Sequence, residues 1–397
     1  MATPALNRSL ATTMFAAGLL LLTFTATQAQ QTEPQFRVLK LGLDANEGSA
    51  IADINGDGKL DVVAGRNWYA NPDFKPRPLR NIDDTNGYTH SNGDHIVDVN
   101  GDGRPDVVAQ SFFGPQIHWY ENPGGTGLER GHLWQQHLLS EQGGGANEAS
   151  FLHDITGDGD NEFIVNSWGN QPVLLFTFTQ NDDGTPALTR HEIGPGGHGH
   201  GMGFGDLNGD GRVDILVGAG WYEHPEGDPL TETWTFHDAW NHAGASCPML
   251  VADINGDGRN DIIWGNGHDF GLHWEEQLEP ADDGTLRFRR HLIDDSWSQA
   301  HVLHLADLTG DGKPELITGK RKWGHNGGDA GADEPQILYY YTWNQDGEFV
   351  RHQIAEGVGT GLQINTGDLT GNGRPDIVVN GKQGAFIVFN EGPSDAD

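Results

Sequence analysis

Cysteine is nearly absent. Cys247 is the only one in 397 residues. That excludes an intramolecular disulfide, and it leaves no lipid-attachment cysteine near the N-terminus. Basic residues are scarce too, with 23 Lys and Arg against 57 Asp and Glu and a formal net charge of −34. So acidic a chain is a poor partner for nucleic acid or an anionic membrane. Long apolar runs are missing except for one, Met14 to Phe24 (MFAAGLLLLTF). It is too short to span a bilayer comfortably. With Arg8 before it and Thr27-Gln28-Ala29 after it, it reads as a signal peptide over residues 1–29. The expectation is a periplasmic or secreted protein with no transmembrane anchor after processing. Residues 30–397 are expected to form one domain, long enough for a sizeable buried core.

What the chain has in abundance is one acidic sentence, written seven times. The copies start at Asp53 (DINGDGKLD), Asp98 (DVNGDGRPD), Asp154 (DITGDGDNE), Asp206 (DLNGDGRVD), Asp253 (DINGDGRND), Asp307 (DLTGDGKPE) and Asp368 (DLTGNGRPD). They lie 45, 56, 52, 47, 54 and 61 residues apart. A period near 50 signals an array of supersecondary units.

Each copy has the chemistry of a Ca²⁺ loop. Oxygen ligands at positions 1, 3 and 5 can point into one tight turn, a glycine follows, and an acid at position 9 closes the cage. The expected ligands are Asp53, Asn55, Asp57 and Asp61 in the first loop, then Asp98, Asn100, Asp102 and Asp106. Asp154, Asp158 and Glu162 follow, then Asp206, Asn208, Asp210 and Asp214. Asp253, Asn255, Asp257 and Asp261 serve the fifth, and Asp307, Asp311 and Glu315 the sixth. The last has Asp368, Asn372 and Asp376, with Asn372 in place of an acid. An EF-hand would need Glu at position 12. Here an apolar pair follows position 9, as in Val62-Val63 and Ile262-Ile263, so each loop is expected to join two β-strands. Seven ions would bring the net charge to about −20, so calcium is expected to contribute to folding.

Four strand-like segments recur per repeat. One precedes the loop and one follows it. The third is aromatic (Trp68-Tyr69, Trp119-Tyr120, Trp221-Tyr222, His273-Trp274, Tyr339-Tyr340-Tyr341). The fourth carries His137, His191, His237, His291 or His352, to which recurrence assigns structural roles. Four strands in each of seven repeats predict an all-β fold, a seven-bladed β-propeller. The last repeat ends after its third strand, Ile387-Val388-Phe389. Phe36 to Leu41 resembles a fourth strand and is expected to complete that blade and close the ring.

The face opposite the calcium loops is where a ligand site is expected. Counting back six residues from each loop gives Glu47, Asn92, Glu148, His200, Cys247, His301 and Leu362, with His90 and His198 two residues earlier. The glycine-rich GPGGHGHG segment (194–201) allows close backbone approach, and His198 and His200 fall on one side of an extended chain. Glu148, His200 and His301 could hold a second divalent metal. The turns between second and third strands add Lys320, Arg321, Trp323 and His325 in the longest insertion, and Arg66, Asn266, His268 and Lys382 in other repeats. Arg and Lys can grip hydroxyl-rich or carboxylate ligands, and Trp323 offers a face to a sugar ring.

The D-x-[DN]-G-D-G-x-x-D loops resemble the FG-GAP/VCBS repeat superfamily, which includes the integrin α-subunit head; the likeness covers residues 36–392. GGHGHGMGFGDLNGDGRVDIL (196–216), the WYENP and WYEHP strands at 119–123 and 221–225, and GKRKWGHNGGDAGADEP (319–335) resemble the propeller domain of the aldos-2-ulose dehydratase family. That resemblance implies a lyase removing water from a keto-sugar such as 1,5-anhydrofructose, with divalent metal present. Fungal members carry cupin domains after the propeller; this chain stops at Asp397, so no isomerase step is expected.

Elimination beside a carbonyl needs a base, a cation for the enolate oxygen and an acid for the leaving oxygen. His200 or His301 is the expected base, with His198 and His325 as alternates, and Lys320 and Arg321 hold ring oxygens or the enolate. Trp323, Lys382, Asn266, His268, Arg66 and His90 are the expected substrate contacts. The expected function is thus an exported carbohydrate-active lyase. The alternatives are a non-catalytic calcium-dependent carbohydrate-binding or adhesion propeller, and a polysaccharide lyase on uronate polymers. A hydrolase would need two opposed carboxylates, for which Glu47 and Glu148 are the nominated pair.

Overall fold

The second strand of every repeat is buried on both sides, and this decides the architecture. In the first repeat, Val62 packs toward Val378, Ile387 and Phe389, while Val63 packs toward Val107, Ala109 and Tyr120. Successive side chains point to opposite faces of a strand, so an unbroken apolar run requires a neighbour on each side.

The structure is a computed structural model that describes residues 33–167, 172–196, 199–242 and 244–393. The expected signal peptide and His198 lie outside the described residues. The strands form antiparallel four-stranded meanders. The first is Ser49–Ala52, Asp61–Ala64, Asn67–Ala70 and Lys75–Pro78. Others follow over 93–140, 147–194, 202–238, 249–298 and 300–356. The fourth and fifth share one eight-stranded sheet, because Met202–Gly205 runs parallel to Met249–Ala252. The last sheet takes Ile364–Gly367, Asp376–Gly381 and Gly384–Pro393 from one end of the chain. Its outer strand is Pro34–Lys40, paired antiparallel with Gly384–Pro393 so that Val38 faces Val388. The expected ring closure by the N-terminal strand is therefore present.

Apolar clusters lie between neighbouring sheets all the way round. Val165 packs with Val108, Ile215 with Ile164, Ile262 with Leu216, Leu316 with Ile263, and Val379 with Ile317. The clusters joining Val63 to Val107 and Val62 to Val378 complete the circuit. The architecture is a β-propeller.

The acid at position 9 of each loop is buried, and its oxygens accept backbone N–H groups. Asp61 accepts from Ile54 at 3.0 Å and from Asn71 at 2.8 Å. Asp106 accepts from Val99 and Asn122, Asp214 from Leu207 and His224, Asp261 from Ile254 and Gln277, and Asp376 from Leu369 and Asn390. One carboxylate thus fastens the start of the loop to the end of the third strand.

The residue fastened there reaches on to the preceding sheet. The side chain of Asn122 donates to Ile54 O at 3.0 Å, Gln277 to Leu207 O at 2.8 Å, and Asn390 to Leu308 O at 2.8 Å. His224 bonds Ile155 O at 3.0 Å. Asn71 donates to Leu369 O at 2.6 Å and so joins the first sheet to the last. Where position 9 is Glu, the longer side chain turns back onto its own loop. Glu162 accepts from Ile155 and Thr156, and Glu315 from Leu308 and Thr309. Burial pushes Asp61, Asp106, Asp214 and Asp261 up to about 6, against the pull of those N–H donors.

The fourth-strand histidines have the expected structural role. His137 stacks on Trp119, His237 on Trp221, His291 on Trp274 and His352 on Tyr340, at centroid separations of 4.5, 4.3, 4.5 and 4.5 Å. Their ring nitrogens find Glu121, Glu223, Glu276 and Glu33.

Two tests follow from these contacts. Asp106→Ala strands two buried N–H groups and should cost about 2–5 kcal/mol. The loss should persist in excess chelator, where a purely ion-binding role for Asp106 would leave no difference; urea unfolding of both proteins measures it. The second test concerns buried neutral histidines. Burial drives His95 and His304 down to about 4. An unfolded chain takes up those protons near 6.5. Their contribution is therefore complete above pH 6.5 and fades as pH falls toward 4, by on the order of 2–3 kcal/mol each. The midpoint difference between wild type and the double variant His95→Gln/His304→Gln should narrow from pH 7 to 4.5. A constant difference refutes it.

Candidate functional site

Each first strand begins on the same face and runs inward, so the residues entering these strands meet around the axis. Glu47, Glu148, His200 and His301 converge as the six-residue count predicts, and Arg321 reaches them from the end of Glu315–Lys320. Arg321 grips Glu47 with two parallel bonds, Nε to Oε1 and Nη2 to Oε2, both 2.7 Å. Its Nη1 donates to His301 Nε2 at 2.6 Å and lies 3.3 Å from Glu148 Oε1. His200 Nε2 is 2.8 Å from His301 Nε2. Glu148 Oε1 lies 3.5 Å from the first and 3.1 Å from the second. His200 Nδ1 donates to Ala245 O at 2.6 Å, which turns Nε2 toward the cluster. Cys247 and Asn92, from the same count, support it from behind: Cys247 N bonds His301 O and Asn92 Nδ2 bonds Glu148 O.

Burial alone would neutralise these groups; pairing prevents it. Burial raises Glu148, but a hydrogen bond from His200 and the charges of His200 and Arg321 hold it well below the usual carboxylate range. Glu47 is likewise held down, against burial, by Arg321 and Lys382. His200 is pushed up despite its burial, through Cys247 and Glu148. His301 is driven well below its ordinary value by burial and by the cations Arg321 and His200. One imidazole holds its proton while its neighbour is neutral, a division that suits acid–base work.

Above this floor opens a cavity of about 320 Å³. Glu47, Glu148, Arg321 and His268 line its base, and Tyr88, Phe112, Phe113, His325 and Lys382 its sides. His268 Nδ1 bonds Asp329 Oδ2 at 2.8 Å, and its buried Nε2 has no hydrogen-bond partner among the described residues. Burial and the His200 charge press His268 down to about 4, so it is neutral at physiological pH. His325 stacks on it at 4.4 Å and bonds the other oxygen of Asp329 at 2.7 Å.

Other expected residues are placed differently. His200 and His301 are fully buried under Glu148 and Arg321, behind the lining of the cavity. Lys320 is 1 % exposed and points away from it, with Nζ on Ser298 Oγ at 2.7 Å. Strand alternation separates it from Arg321. Burial lowers its ammonium, against Glu334 and Asp329. Trp323 is exposed outside the cavity, and its carbonyl accepts from Lys382 Nζ. Arg66 is held by Asp44 and Asp84. Asn266 Oδ1 accepts the backbone N–H of His268 at 3.2 Å and so holds the turn that carries it. His90 bonds Thr85 and stacks on Phe113 beside the cavity.

Sequence reasoning missed Asp329, Tyr88 and the Phe112-Phe113 pair. Asp329 carried one signal, its position four residues after His325.

The cluster fits a divalent cation in part. Three ligand atoms of Glu148, His200 and His301 lie within 3.5 Å of one another, and the His200 tautomer is set by Ala245. His200, His268 and His301 also bring their nitrogens within 4.8 Å. Arg321 Nη1 already donates into this group and would have to yield. In the acidic loops, Asp307, Asp311 and Glu315 converge within 4.8 Å. The position 1 carboxylates fold each loop; Asp53, for example, accepts from Gly56, Asp57 and Gly58.

A family model described as an FG-GAP-like repeat matches residues 98–165, 154–217 and 253–318. No curated protein matches the chain. Among solved structures, BBS1N in complex with ARL6DN is similar at 13% identity and a TM-score of 0.50, over 91% of this chain and 97% of that one. The Photorhabdus luminescens Tc holotoxin pore aligns at 15% identity and a TM-score of 0.35, over 90% of this chain; the chain spans 15% of the toxin chain's length. At such identities the likeness to BBS1N speaks to fold alone. The chain is a β-propeller that carries FG-GAP-like repeats.

Proposed function

We propose that this protein is a carbohydrate-active lyase that eliminates water, or a glycosyl oxygen, from a keto-sugar bound in the central cavity. The observation that carries the reading is the buried cluster of Glu47, Arg321, Glu148, His200 and His301 beneath a cavity whose wall holds the Asp329-bound His268. The resemblance of residues 196–216 and 319–335 to the aldos-2-ulose dehydratase propeller points the same way. Export follows from the leader-like residues 1–29.

The roles follow from which groups face the cavity. His268 lines the cavity as a neutral imidazole fixed by Asp329 through Nδ1; with its Nε2 uncovered on substrate binding, it takes the proton from the carbon beside the carbonyl. Arg321 lies at the base, where it stabilises the enolate oxygen. His325, on the other oxygen of Asp329, protonates the departing oxygen as the carbon–oxygen bond breaks. The C–H electrons become the new double bond, and water or an alcohol leaves. His200 and His301 keep Glu148 ionised and in place. Glu148, His200 and His301 would hold a divalent cation, which when bound polarises the substrate carbonyl. Tyr88, Phe112 and Phe113 offer apolar faces to a sugar ring.

In this reading the acidic loops are Ca²⁺ sites of structural value. The convergence of Asp307, Asp311 and Glu315 and the glycines at positive φ support it.

Incubation with keto-sugars, uronate polymers and unoxidised glycans, followed at ultraviolet wavelengths for enone product, tests the activity. His268→Ala and Arg321→Ala should each lower kcat at least about 100-fold, with the melting temperature recorded alongside. Product from uronate polymers alone would move the assignment to a polysaccharide lyase. Ligand retention without product would make the protein a binding module. For the loops, chelation should lower the melting temperature by roughly 5–15 °C, and Ca²⁺ should restore it. An unchanged midpoint removes calcium from the account.

A further inference from the structure

A second cavity, of about 270 Å³, opens beside the first. It lies against the second sheet, between Asp106–Gln110, Ile117–Glu121 and Gln135–Ser140 on one side and residues 81–83 on the other. Its chemistry is unlike that of the first. Arg321, Lys382, Glu47 and Glu148 line the first cavity. The second is lined by the amides Asn81, Gln110, Gln116 and Gln136, by His90 and His118, and by the aromatic faces of Tyr120 and Phe113. Its one charged lining residue is the exposed Asp83. The amide of Gln110 is buried, and neither of its polar atoms has a hydrogen-bond partner among the described residues. Buried amides are normally paired.

Phe113 lines both cavities. It is held 44 % exposed and stacked on His90 at 4.4 Å. His90 is itself fixed by Thr85 Oγ1 at 2.6 Å. An exposed phenyl ring stacked on His90 between the two cavities is a platform for a ring with an apolar face. Amides offer a donor and an acceptor side by side, which matches adjacent hydroxyls. Without a cation, such a lining gives no grip on carboxylate, sulfate or phosphate.

We infer that the second cavity is a subsite for a neutral saccharide unit, and that the ligand is a chain of at least two rings running across Phe113 into the central cavity. The inference rests on the carbohydrate part of the proposed function and is independent of the elimination step. It specifies the substrate class as a glycosidically linked sugar, with the reacting ring at its end.

Labelled protein applied to printed arrays of neutral and acidic glycans, one to six rings long, tests this. Neutral glycans of two or more rings should be retained at least tenfold more strongly than single rings. Gln136→Ala combined with Gln116→Ala, two exposed substitutions, should remove that increment and leave single-ring retention unchanged. Phe113→Ala should weaken both. The inference is overturned if single rings are retained as well as longer ones, if acidic glycans dominate, or if the increment survives the double substitution. A silent array overturns the subsite and the carbohydrate reading together, whereas enone formation reports separately on elimination.

Discussion

One buried carboxylate per repeat organises this molecule. The ninth residue of each acidic loop sits where three pieces of chain must be held, and its two oxygens accept the N–H groups that the turn leaves unpaired. Hydrogen bonds to an ionised acceptor are stronger than neutral ones, and in a low-dielectric interior they strengthen further. The Asp form fastens loop to third strand, and the fastened Asn, Gln or His carries the link to the adjoining sheet. The Glu form, in Glu162 and Glu315, accepts two N–H groups of its own loop. Both Glu-form loops are still reached by the following sheet, through His224 on Ile155 O and Asn390 on Leu308 O.

The central site depends on that ring. Glu47, Glu148, His200, His301 and Arg321 come from four sheets, and none could stand charged in the interior alone. Two carboxylates, a guanidinium and an imidazolium balance one another, so removing one partner leaves an uncompensated charge. The same balance gives the cavity its asymmetry. Below lies a fixed polar floor, and above stand Tyr88, Phe112 and Phe113, which come from turns outside the acidic loops.

Much of this was legible from residue order. The DxNGDGxxD spacing announced the loops, the ring-closing strand could be matched by its likeness to 288–293, and the six-residue count found Glu47, Glu148, His200 and His301 together. Two kinds of information were not legible. Accessibility was one: His200 and His301 are under the floor while His268 lines the cavity, because burial depends on neighbours far away in the chain. Direction was the other: Lys320 and Arg321 are adjacent letters on opposite sides of a strand. The basic run suggested a joint role that the pleat separates. The acidity of position 9 points to a metal ligand; that its oxygens also hold the loop N–H groups is seen only in the fold.

The outer strand of the last sheet, Pro34–Lys40, comes from the opposite end of the described chain. Until Gly384–Pro393 has been made, that strand has no edge to join. The earlier sheets can stack in order as the ribosome proceeds, yet the circle stays open until Gly384–Pro393 emerges. Pairing across some 350 residues is an entropically slow step, so closure of the ring comes after the local meanders have formed.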